Sequence, residues 1–498
     1  MSDSGQHLGS GDVSASEALL VERLGAAAVE RLRDLERRVV GQAPPLPWSG
    51  RAPPRGTALD CDVLLAGGGL SLLYAVTLAR AGVRVAVADP NGVARGHREW
   101  NASMPELQAL VSGGILDERE LQELVAARYA RGLVRWRGSA PVYTRGVLDV
   151  AIDAQRLLNH LRARCGALGV TLLDGAGVIG QSVGEGGVEV ALRDRDGAVR
   201  TLICRLLLDG RGASSPFARW DLVCPTVGGV LGGLALGEGP DEVDPSVGEL
   251  LVSVDDAQDG RLPIWEGFPG RSGQFTTYLF EYTEPQRLGP RPLTALYGRF
   301  FSSLHRYKRG DATVLRPTFG FIPAHSRLRP HPASPSDRVL LVGDAAARHS
   351  PLTFCGFGAA LRSFAPVCAR LLERLGADRL DRRGLEACWA EAPSLTVLGA
   401  LALMMTDRSL ARRDPAWTNR LLGAAFDALA AQGDEAFRDV LQDRAGPGQI
   451  WRLLRATARR EPRVYRAVME TLSLRELLSF ARNFAAFGLR GAEVTWPT

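Results

Sequence analysis

The stretch DVLLAGGG, residues Asp62 to Gly69, decides the fold predicted for this chain. Its apolar run ends at three glycines and is followed by LSLLYAVTLARAG, which has apolar residues at helical spacing, and by VRVAVAD, which ends at Asp89. Strand, tight turn, helix and strand in this order are typical of a βαβ unit that binds a dinucleotide. Glycines let the backbone approach a pyrophosphate, whose charge the amides and dipole at the helix start stabilise.

The spacing of the first acidic residue after this turn supports nucleotide binding. Asp89 lies 22 residues after Gly67, where a carboxylate can accept hydrogen bonds from ribose hydroxyls. Gly67 and Gly69 fit the pattern GxGxxG, whereas the third glycine position is Leu72. An ordinary βα turn is the alternative, and the acid at this spacing favours a nucleotide site. The predicted contacts are Gly67, Gly68, Gly69, Leu70 and Asp89.

Composition indicates a globular chain with two or three cooperating domains. The chain has 498 residues, of which 46% are hydrophobic and 23% charged. Its formal charge of +5 comes almost entirely from arginine, since Lys308 is the only lysine. The arginines are spread along the chain, so we expect no nucleic-acid partner, whereas a weak attraction to an anionic membrane surface stays open.

The seven cysteines are scattered and lack CxxC spacing, which argues against a disulfide framework and against a zinc site. A reducing compartment follows, and the first residues lack the pattern of a secretory signal. We therefore expect a cytoplasmic protein that can lie on the inner face of a membrane. The run from Leu395 to Met405 is too short to span a bilayer, and it is either a buried helix or a surface that dips into lipid.

The order of patterns along the chain predicts four regions. Residues 14–40 read as one amphipathic helix, which a Pro/Gly-rich linker joins to the rest, so region 1–57 stands apart. A nucleotide-binding α/β domain is expected over 58–225 and 322–375. It is interrupted by a β-rich substrate domain at 226–321 and followed by helices at 376–498.

Three further segments resemble ligand loops. LLLDGRGASSP (Leu206 to Pro216) is a buried strand that ends at glycines, and an ordinary strand exit explains it equally well. RVLLVGD (Arg338 to Asp344) is another strand that ends in Gly-Asp before a glycine-bearing loop and a helix. GHREWNAS (Gly96 to Ser103) follows the strand that ends at Asp89, and a loop that caps the next helix through Asn101 or Ser103 is the alternative.

Three nucleotide-contacting segments with a β-rich insertion between the second and the third resemble the FAD-binding fold of the p-hydroxybenzoate hydroxylase type. The chain is also similar to lycopene cyclases and cyclase-like flavoproteins of the CruA/CruP type. That resemblance covers most of the chain from Asp62 to about Leu375. It is carried by HREWNAS (His97 to Ser103), LLLDGRGASSP, WEGFP (Trp265 to Pro269) with TTYLF (Thr276 to Phe280), and GDAAARHSPLTFCGFGAALRSF (Gly343 to Phe364).

The resemblance implies FAD as cofactor. It implies that Asp344 bonds the ribityl chain and that the loop from Pro351 to Gly358 lies near the isoalloxazine. Leu72 and Cys355 stand where such proteins often have glycine, so the fine geometry of the site can differ. Beyond the glycine turn, the implied cofactor contacts are Arg98, Trp100, Asn101, Asp209, Gly210, Gly343, Asp344, Pro351, Gly356, Phe357 and Gly358.

The resemblance also implies the chemistry. Phe280-Glu281-Tyr282-Thr283 is similar to an acidic motif of lycopene cyclases, which makes Glu281 the expected proton donor and Glu266 the second candidate. In the implied reaction NAD(P)H reduces FAD, and the acid protonates a terminal double bond of an acyclic carotenoid such as lycopene. A carboxylic acid serves in this way when burial keeps it protonated at neutral pH. The substrate would be taken from a membrane surface.

Three alternatives stay open. A flavin monooxygenase on a hydrophobic or polyketide-like substrate shares the fold. A CruP-like flavoprotein would bind carotenoids without efficient cyclisation. A flavin-dependent halogenase is disfavoured, because such enzymes typically carry WxWxIP and a lysine near the substrate, whereas Trp265 is followed by EGF and Lys308 is the only lysine. For the basic and apolar stretch from Ile450 to Leu489, ordinary amphipathic helices and a membrane-associating face are both open.

Overall fold

The structure is a computed structural model that describes residues 10–40, 50–96, 99–326, 328, 331–350, 352, 356–389, 393–406, 408 and 412–490. The described helices are α1 (Ser10–Leu24), α2 (Ala26–Val40), α3 (Leu72–Arg80), α4 (Met104–Ser112), α5 (Glu118–Leu124), α6 (Ala154–Ala167), α7 (Pro292–Tyr307), α8 (Gly356–Gly376), α9 (Arg382–Glu386), α10 (Pro393–Ala402), α11 (Trp417–Ala430), α12 (Asp434–Leu441), α13 (Pro447–Arg460), α14 (Val464–Thr471) and α15 (Leu474–Arg490).

The described strands are β1 (Cys61–Ala66), β2 (Val85–Asp89), β3 (Trp100–Ala102), β4 (Val125–Arg128), β5 (Arg131–Arg135), β6 (Val142–Thr144), β7 (Val150–Ile152), β8 (Thr171–Asp174), β9 (Gly177–Gly184), β10 (Gly187–Arg193), β11 (Val199–Asp209), β12 (Leu222–Leu234), β13 (Val247–Val252), β14 (Ile264–Pro269), β15 (Phe275–Phe280), β16 (Gly310–Ala324) and β17 (Val339–Leu341).

The first sheet has the order β8-β2-β1-β11-β10-β9, and β17 also pairs with β11. Strands β8, β2, β1, β11 and β17 pair in parallel, so their carboxyl ends meet at one edge. The side chains of β1 alternate between two buried clusters, with Val63 and Leu65 on the side of α3 and Leu64 and Ala66 on the other side. A strand buried on both faces explains why DVLLA is a continuous apolar run.

Gly67, at the end of β1, has a φ of +103°, which glycine adopts without strain. A Cβ atom at this position would lie 2.8 Å from the carbonyl oxygen of Gly210, because the turns after β1 and β11 abut. The predicted strand–turn–helix–strand unit is therefore present, and two of the predicted ligand loops meet in space.

The second sheet has the order β16-β12-β15-β14-β13-β5-β6. It reaches beyond the expected segment 226–321, because β12 begins at Leu222, β16 ends at Ala324, and β5 and β6 come from the region before it. Helix α7 packs against one face of this sheet, through Phe300 and Tyr307 among others. The opposite face carries the candidate site described below.

The N-terminal region forms two helices where one was predicted. The chain breaks at Gly25, whose φ is +83°, and α1 and α2 fold back on each other. Glu36 of α2 is buried and accepts hydrogen bonds of 2.7 and 2.9 Å from the amides of Leu293 and Thr294 in the first turn of α7. These bonds satisfy amides that a helix start leaves unpaired, so α2 is anchored to the second sheet through α7.

The run from Leu395 to Met405 forms α10 and one 3₁₀ turn, and its side chains are largely buried, with Val397 and Leu398 fully so. The interpretation of this run as a surface that dips into lipid is therefore wrong. A buried helix, the other expectation, is what forms. Within the described part of the chain, no helix combines the length and apolar character needed to cross a bilayer.

Candidate functional site

A cleft lies between the second sheet and the carboxyl edge of the first. It holds about 1060 Å³ of empty space, part of it open to solvent. The second sheet, β3, the turns after β1 and β17, and α8 and α12 contribute most of its lining. The lining residues are Leu70, Glu99, Trp100, Asn101, Leu148, Thr226, Leu250, Leu251, Glu266, Tyr278, Phe280, Phe319, Ile322, Asp344, Gly356, Phe357 and Leu441.

Glu266 reaches this cleft because of strand alternation. Successive side chains of β14 point to opposite faces, so Trp265 packs on α7, where its ring lies 4.5 Å from that of Tyr307. Glu266 points the other way and sits directly across from Tyr278 of β15. The fallback acid of the sequence prediction is thus placed in the cleft beside an aromatic ring.

The carboxyl group of Glu266 has one direct hydrogen-bond partner among the described residues. The side-chain amide of Asn101 donates a 3.0 Å hydrogen bond to Glu266 Oε1. Withdrawal from water raises the pKa of Glu266 to about 7, although the bond from Asn101 lowers it. Glu266 is therefore partly protonated near neutral pH, as a general acid must be.

Residues 99–101, called the tryptophan loop below, form one wall of the cleft. Trp100 stacks on Phe357 at the start of α8, with the ring centroids 5.0 Å apart and the planes 14° from parallel. Tyr278 fixes the loop, since its hydroxyl donates to the carbonyl oxygen of Glu99 and accepts from the amide of Glu99, both at 2.8 Å. Ser103 follows as the cap of α4, which confirms the capping interpretation of this segment, and its role in ligand binding stays a prediction.

The glycine turn is held in shape by the acid that was predicted to bind ribose. Asp89 accepts hydrogen bonds of 2.8 Å from the amides of Gly68 and Asn91, and burial raises the pKa of Asp89 although these bonds lower it. A Cβ atom at Gly69 would meet nothing within 4 Å. The backbone at Gly69, in the turn before α3, therefore borders open space at the positive end of the helix dipole, which fits a pyrophosphate.

Asp209 ends β11 and is fully buried. Its carboxylate accepts bonds from the Arg211 guanidinium at 2.7 and 3.0 Å and from the Ser215 hydroxyl at 2.7 Å. Burial raises the pKa of Asp209, but the charge of Arg211 and the hydrogen bonds from Arg211 and Ser215 have the larger effect. The pKa of Asp209 therefore lies below its ordinary value. This carboxylate shapes the loop that contains Gly210, and its role toward a cofactor stays a prediction.

The third segment also meets the cleft. Gly343 has a φ of +57° and Asp344 follows it at the edge of the first sheet. Ideal Cβ positions on Gly356 and Gly212 lie 3.6 Å from the side chain of Asp344, so the second and third loops converge there. Gly358 does not face Asp344 but packs against Glu106, which forms an ion pair with Arg362. The predicted contacts Arg98 and Pro351 lie outside the described residues.

Glu281, the expected proton donor, occupies a different environment. Glu281 directly follows Phe280, the last residue of β15. The side chain of Phe280 points into the cleft, so alternation turns Glu281 to the opposite face. Its two carboxylate oxygens accept hydrogen bonds from Arg261 at 2.9 Å and Arg299 at 2.8 Å. In the described chain Glu281 does not line the cleft. The structure therefore places the expected proton donor outside the cleft, with a guanidinium group at each of its carboxylate oxygens, and its role in the reaction stays a prediction.

Some lining residues were not singled out in the sequence. Glu99 stood inside the recognised tryptophan loop, and burial raises its pKa although the charge of Arg316 lowers it. Leu250 and Leu251 of β13 and Leu441 of α12 come from distant segments and carry no motif. The alternation of β14 and β15 is the signal that places Glu266, Tyr278 and Phe280 on one face.

The only lysine of the chain lies elsewhere. Lys308 is buried behind the second sheet, where its Nζ donates to Glu249 Oε1 at 2.6 Å and to the carbonyl oxygen of Glu242 at 2.5 Å. It is not one of the cleft residues of the described chain. A reaction that needs a lysine beside the substrate therefore finds none here.

No protein-family model matches the sequence, and no curated protein matches it. A geranylgeranyl bacteriochlorophyll reductase-like protein from Thermoplasma acidophilum is similar in structure, with a TM-score of 0.55 and 15% identity over 83% of this chain and 99% of that one. The halogenase PltM in complex with phloroglucinol and FAD gives 0.56 and 14% over 87% and 98%. The p-nitrophenol 4-monooxygenase PnpA from Pseudomonas putida DLL-E4 gives 0.54 and 18% over 80% and 99%.

At these identities the similarity establishes the fold and nothing finer. The glycine turn, the parallel strands on either side of β1 and the largely antiparallel second sheet are arranged as the sequence predicted. The chain has the FAD-binding α/β fold of the p-hydroxybenzoate hydroxylase type, with an inserted sheet and a helical C-terminal region.

Proposed function

We propose that this protein is an FAD-dependent cyclase of acyclic carotenoids, in which Glu266 supplies the proton that starts ring closure. The observation that carries the proposal is the position of Glu266 in an aromatic and aliphatic cleft, where withdrawal from water raises its pKa to about 7. Glu281 is less suited to this role, because it lies outside the cleft and its two oxygens accept hydrogen bonds from Arg261 and Arg299.

The residues present fit FAD. The space at Gly69 is open and lies next to the cleft residue Leu70, and Asp344 converges with Gly212 and Gly356 at the cleft, so these turns can hold FAD. When bound and reduced by NAD(P)H, FAD supplies an anionic ring that stabilises positive charge without net electron transfer.

The cleft suits a substrate end without polar groups. Apart from Glu99, Asn101, Thr226, Glu266 and Asp344, and the hydroxyl of Tyr278, its lining is apolar or aromatic over the described residues. Glu266 delivers a proton to the terminal double bond, and the pair of electrons of that bond forms the new C–H bond. A second double bond attacks the resulting tertiary cation to close the ring. A base then takes one proton from the ring cation, and the electrons of that C–H bond form the double bond of the neutral product.

The aromatic side chains have a defined part in this reaction. Tyr278 pairs with Glu266 across the two strands, and Phe280 lies on the same face of β15. Both rings therefore border the position where the cation forms. The negative faces of aromatic rings attract a cation, and exclusion of water prevents its capture as an alcohol.

The test is expression in cells that accumulate lycopene, followed by chromatography of the carotenoids. The full chain is expected to give monocyclic or bicyclic products, and Glu266→Gln is expected to give none while its protein remains yellow with FAD. Unchanged lycopene with the full chain would favour a carotenoid-binding flavoprotein. Substrate-dependent oxygen consumption with a hydroxylated product would favour a monooxygenase.

A further inference from the structure

The last three helices expose large apolar side chains to solvent. Six residues of α13, α14 and α15 are between 55% and 79% exposed, and they account for nearly half of the exposed large apolar residues in the described chain. Scattered exposed leucines are ordinary, whereas a concentration in one segment marks an interaction surface. The six are Trp451, Tyr465, Met469, Leu474, Leu478 and Leu489.

Helix α15 carries an apolar stripe on its outer side. Leu474, Leu478, Ala481, Ala485 and Leu489 follow one another at i, i+4, i+7, i+11 and i+15, which places them on one face of the helix, and all five are exposed. A different side of the same helix meets the protein core through Phe480, Phe484 and Phe487. The helix is therefore apolar on two sides, and the core covers only one.

The neighbouring helices extend this surface. Trp451 of α13 lies 6.1 Å from the ring of Phe484, which joins α13 to α15, and it remains more than half exposed. Tyr465 and Met469 are four residues apart, so they share one face of α14. Tryptophan and tyrosine are the residues that favour the boundary between lipid and water.

The same segment is strongly basic. From Ile450 to Leu489 it contains eight arginines and three glutamates, a formal charge of +5 that equals the charge of the whole chain. The glutamates are already paired, Glu461 with Arg463, Glu470 with Arg466 and Glu476 with Arg408. Among the described residues no carboxylate lies within ion-pair distance of five exposed arginines, which are Arg452, Arg455, Arg459, Arg475 and Arg482.

Charge and apolar surface lie side by side on α15. At about 100° per residue, Arg475 and Arg482 project from one edge of the apolar stripe. An apolar stripe bordered by arginines is the pattern of a helix that lies in the interface of a bilayer, with the leucines among the acyl chains and the guanidinium groups at the phosphates.

We propose that α13, α14 and α15 form a docking face for a lipid surface with anionic headgroups. The charge argues against a second copy as occupant, because two faces of +5 would repel each other. The proposal does not depend on the reaction at Glu266. It would bring the protein to the place where an apolar, lipid-dissolved substrate resides.

The test is flotation of the full-length protein with vesicles of phosphatidylcholine alone and with phosphatidylglycerol added. Wild type is expected to float with the anionic vesicles, and added salt is expected to release it. Replacing both arginines in Arg475→Gln/Arg482→Gln should weaken binding more than about tenfold. The triple change Leu474→Ser/Leu478→Ser/Leu489→Ser should abolish it.

Matched controls use residues exposed elsewhere. Leu236→Ser/Leu315→Ser changes two leucines that are 62% and 54% exposed, and Arg31→Gln/Arg51→Gln removes two exposed charges. Both control variants should float as wild type does, and circular dichroism checks that all variants are folded. Wild type that stays unbound with both vesicle types, or folded face variants that float undiminished, would overturn the proposal. Binding to a second copy or to acidic proteins in place of vesicles would do the same.

Discussion

The side-chain amide of Asn101 donates a hydrogen bond of 3.0 Å to Oε1 of Glu266. Because Oε1 accepts a hydrogen bond from an amide N–H, which cannot itself accept one, the proton of the neutral acid is on Oε2. The same bond favours the ionised form and holds the pKa of Glu266 lower than withdrawal from water alone would. Asn101 is thus a positioning residue. It determines which carboxyl oxygen of Glu266 carries the proton and the pH at which Glu266 is protonated.

Removal of this donor should shift the pH dependence of the reaction. In Asn101→Leu the pKa of Glu266 is expected to rise further above about 7, so the decline of the rate at alkaline pH should move to higher pH. The measurement is the pH profile of product formation, with Asn159→Leu, a surface amide outside the cleft, as control. A profile identical to wild type would show that Asn101 does not act on the acid.

Stability should respond to pH through Glu266. Its folded-state pKa is raised, so the folded state binds the proton more tightly, and stability is greatest below the unfolded pKa and declines as the pH rises through about 7. Glu266→Gln removes this dependence, which amounts to about 3 kcal/mol across the interval. Thermal melts from pH 5 to pH 8 should therefore slope less for Glu266→Gln than for wild type. Parallel slopes would place the titration elsewhere.

Glu281→Gln should affect stability and spare the chemistry. The substitution removes the buried carboxylate that pairs with both Arg261 and Arg299, which is expected to lower the free energy of unfolding by about 3 kcal/mol. The folded fraction should still bind FAD and form cyclic product. Denaturant unfolding and the carotenoid assay at low temperature measure the two effects. A fully stable but inactive Glu281→Gln would restore Glu281 as proton donor.

Local patterns predicted the parts of the fold that local physics decides. The glycine turn follows from an apolar run, glycines and an amphipathic helix, and the structure confirms it. The choice between Glu281 and Glu266 depends on Arg261 and Arg299, which lie 20 and 18 residues from Glu281 and meet it only in the folded sheet. Alternation along β15 already separates Glu281 from Phe280, and a motif resemblance outweighed that signal.

Non-local pairing explains the other differences. Strands β5 and β6 join the second sheet through β13, a partner more than 100 residues away, which no local pattern reveals. The break in the N-terminal helix depends on one residue, Gly25, inside an otherwise continuous amphipathic pattern. The outer apolar stripe of α15 is readable as a pattern, but only its exposure distinguishes it from a core-facing stripe.

Two neighbouring glycines should fail in different ways. A Cβ atom at Gly68 would lie 2.8 Å from Val93 Cα, so Gly68→Ala is expected to lower the free energy of unfolding by about 1 to 3 kcal/mol. At Gly69 the space is open, so Gly69→Ala should fold normally but weaken FAD binding more than about tenfold, because its methyl group occupies the path of the pyrophosphate. Thermal melts of apoprotein and flavin fluorescence titrations separate the two effects. Unaltered FAD affinity in Gly69→Ala would remove the turn from the cofactor site.

Asp443 connects the C-terminal helices to the loop that precedes α8. Its Oδ2 accepts a 3.0 Å hydrogen bond from the amide of Ser350, and Arg362, which is paired with Glu106, lies 3.9 Å away. Burial raises the pKa of Asp443 to about 6, although the charge of Arg362 and the bonds from Ser350 lower it. The amide of Ser350 is thus held by a residue more than 90 positions later in the chain.

If this bond positions the loop beside the cofactor, its loss should weaken FAD binding. Asp443 has a φ of +58°, so Asp443→Gly removes the carboxylate without backbone strain, and Asp443→Asn keeps an oxygen that can accept from Ser350. FAD affinity is expected to fall at least about tenfold in Asp443→Gly and to stay near wild type in Asp443→Asn, since one hydrogen bond from a buried amide is at stake. Wild-type FAD affinity in both folded variants would show that the loop is held by other contacts. A loss in Asp443→Asn as large as in Asp443→Gly would assign the effect to the charge shared with Arg362.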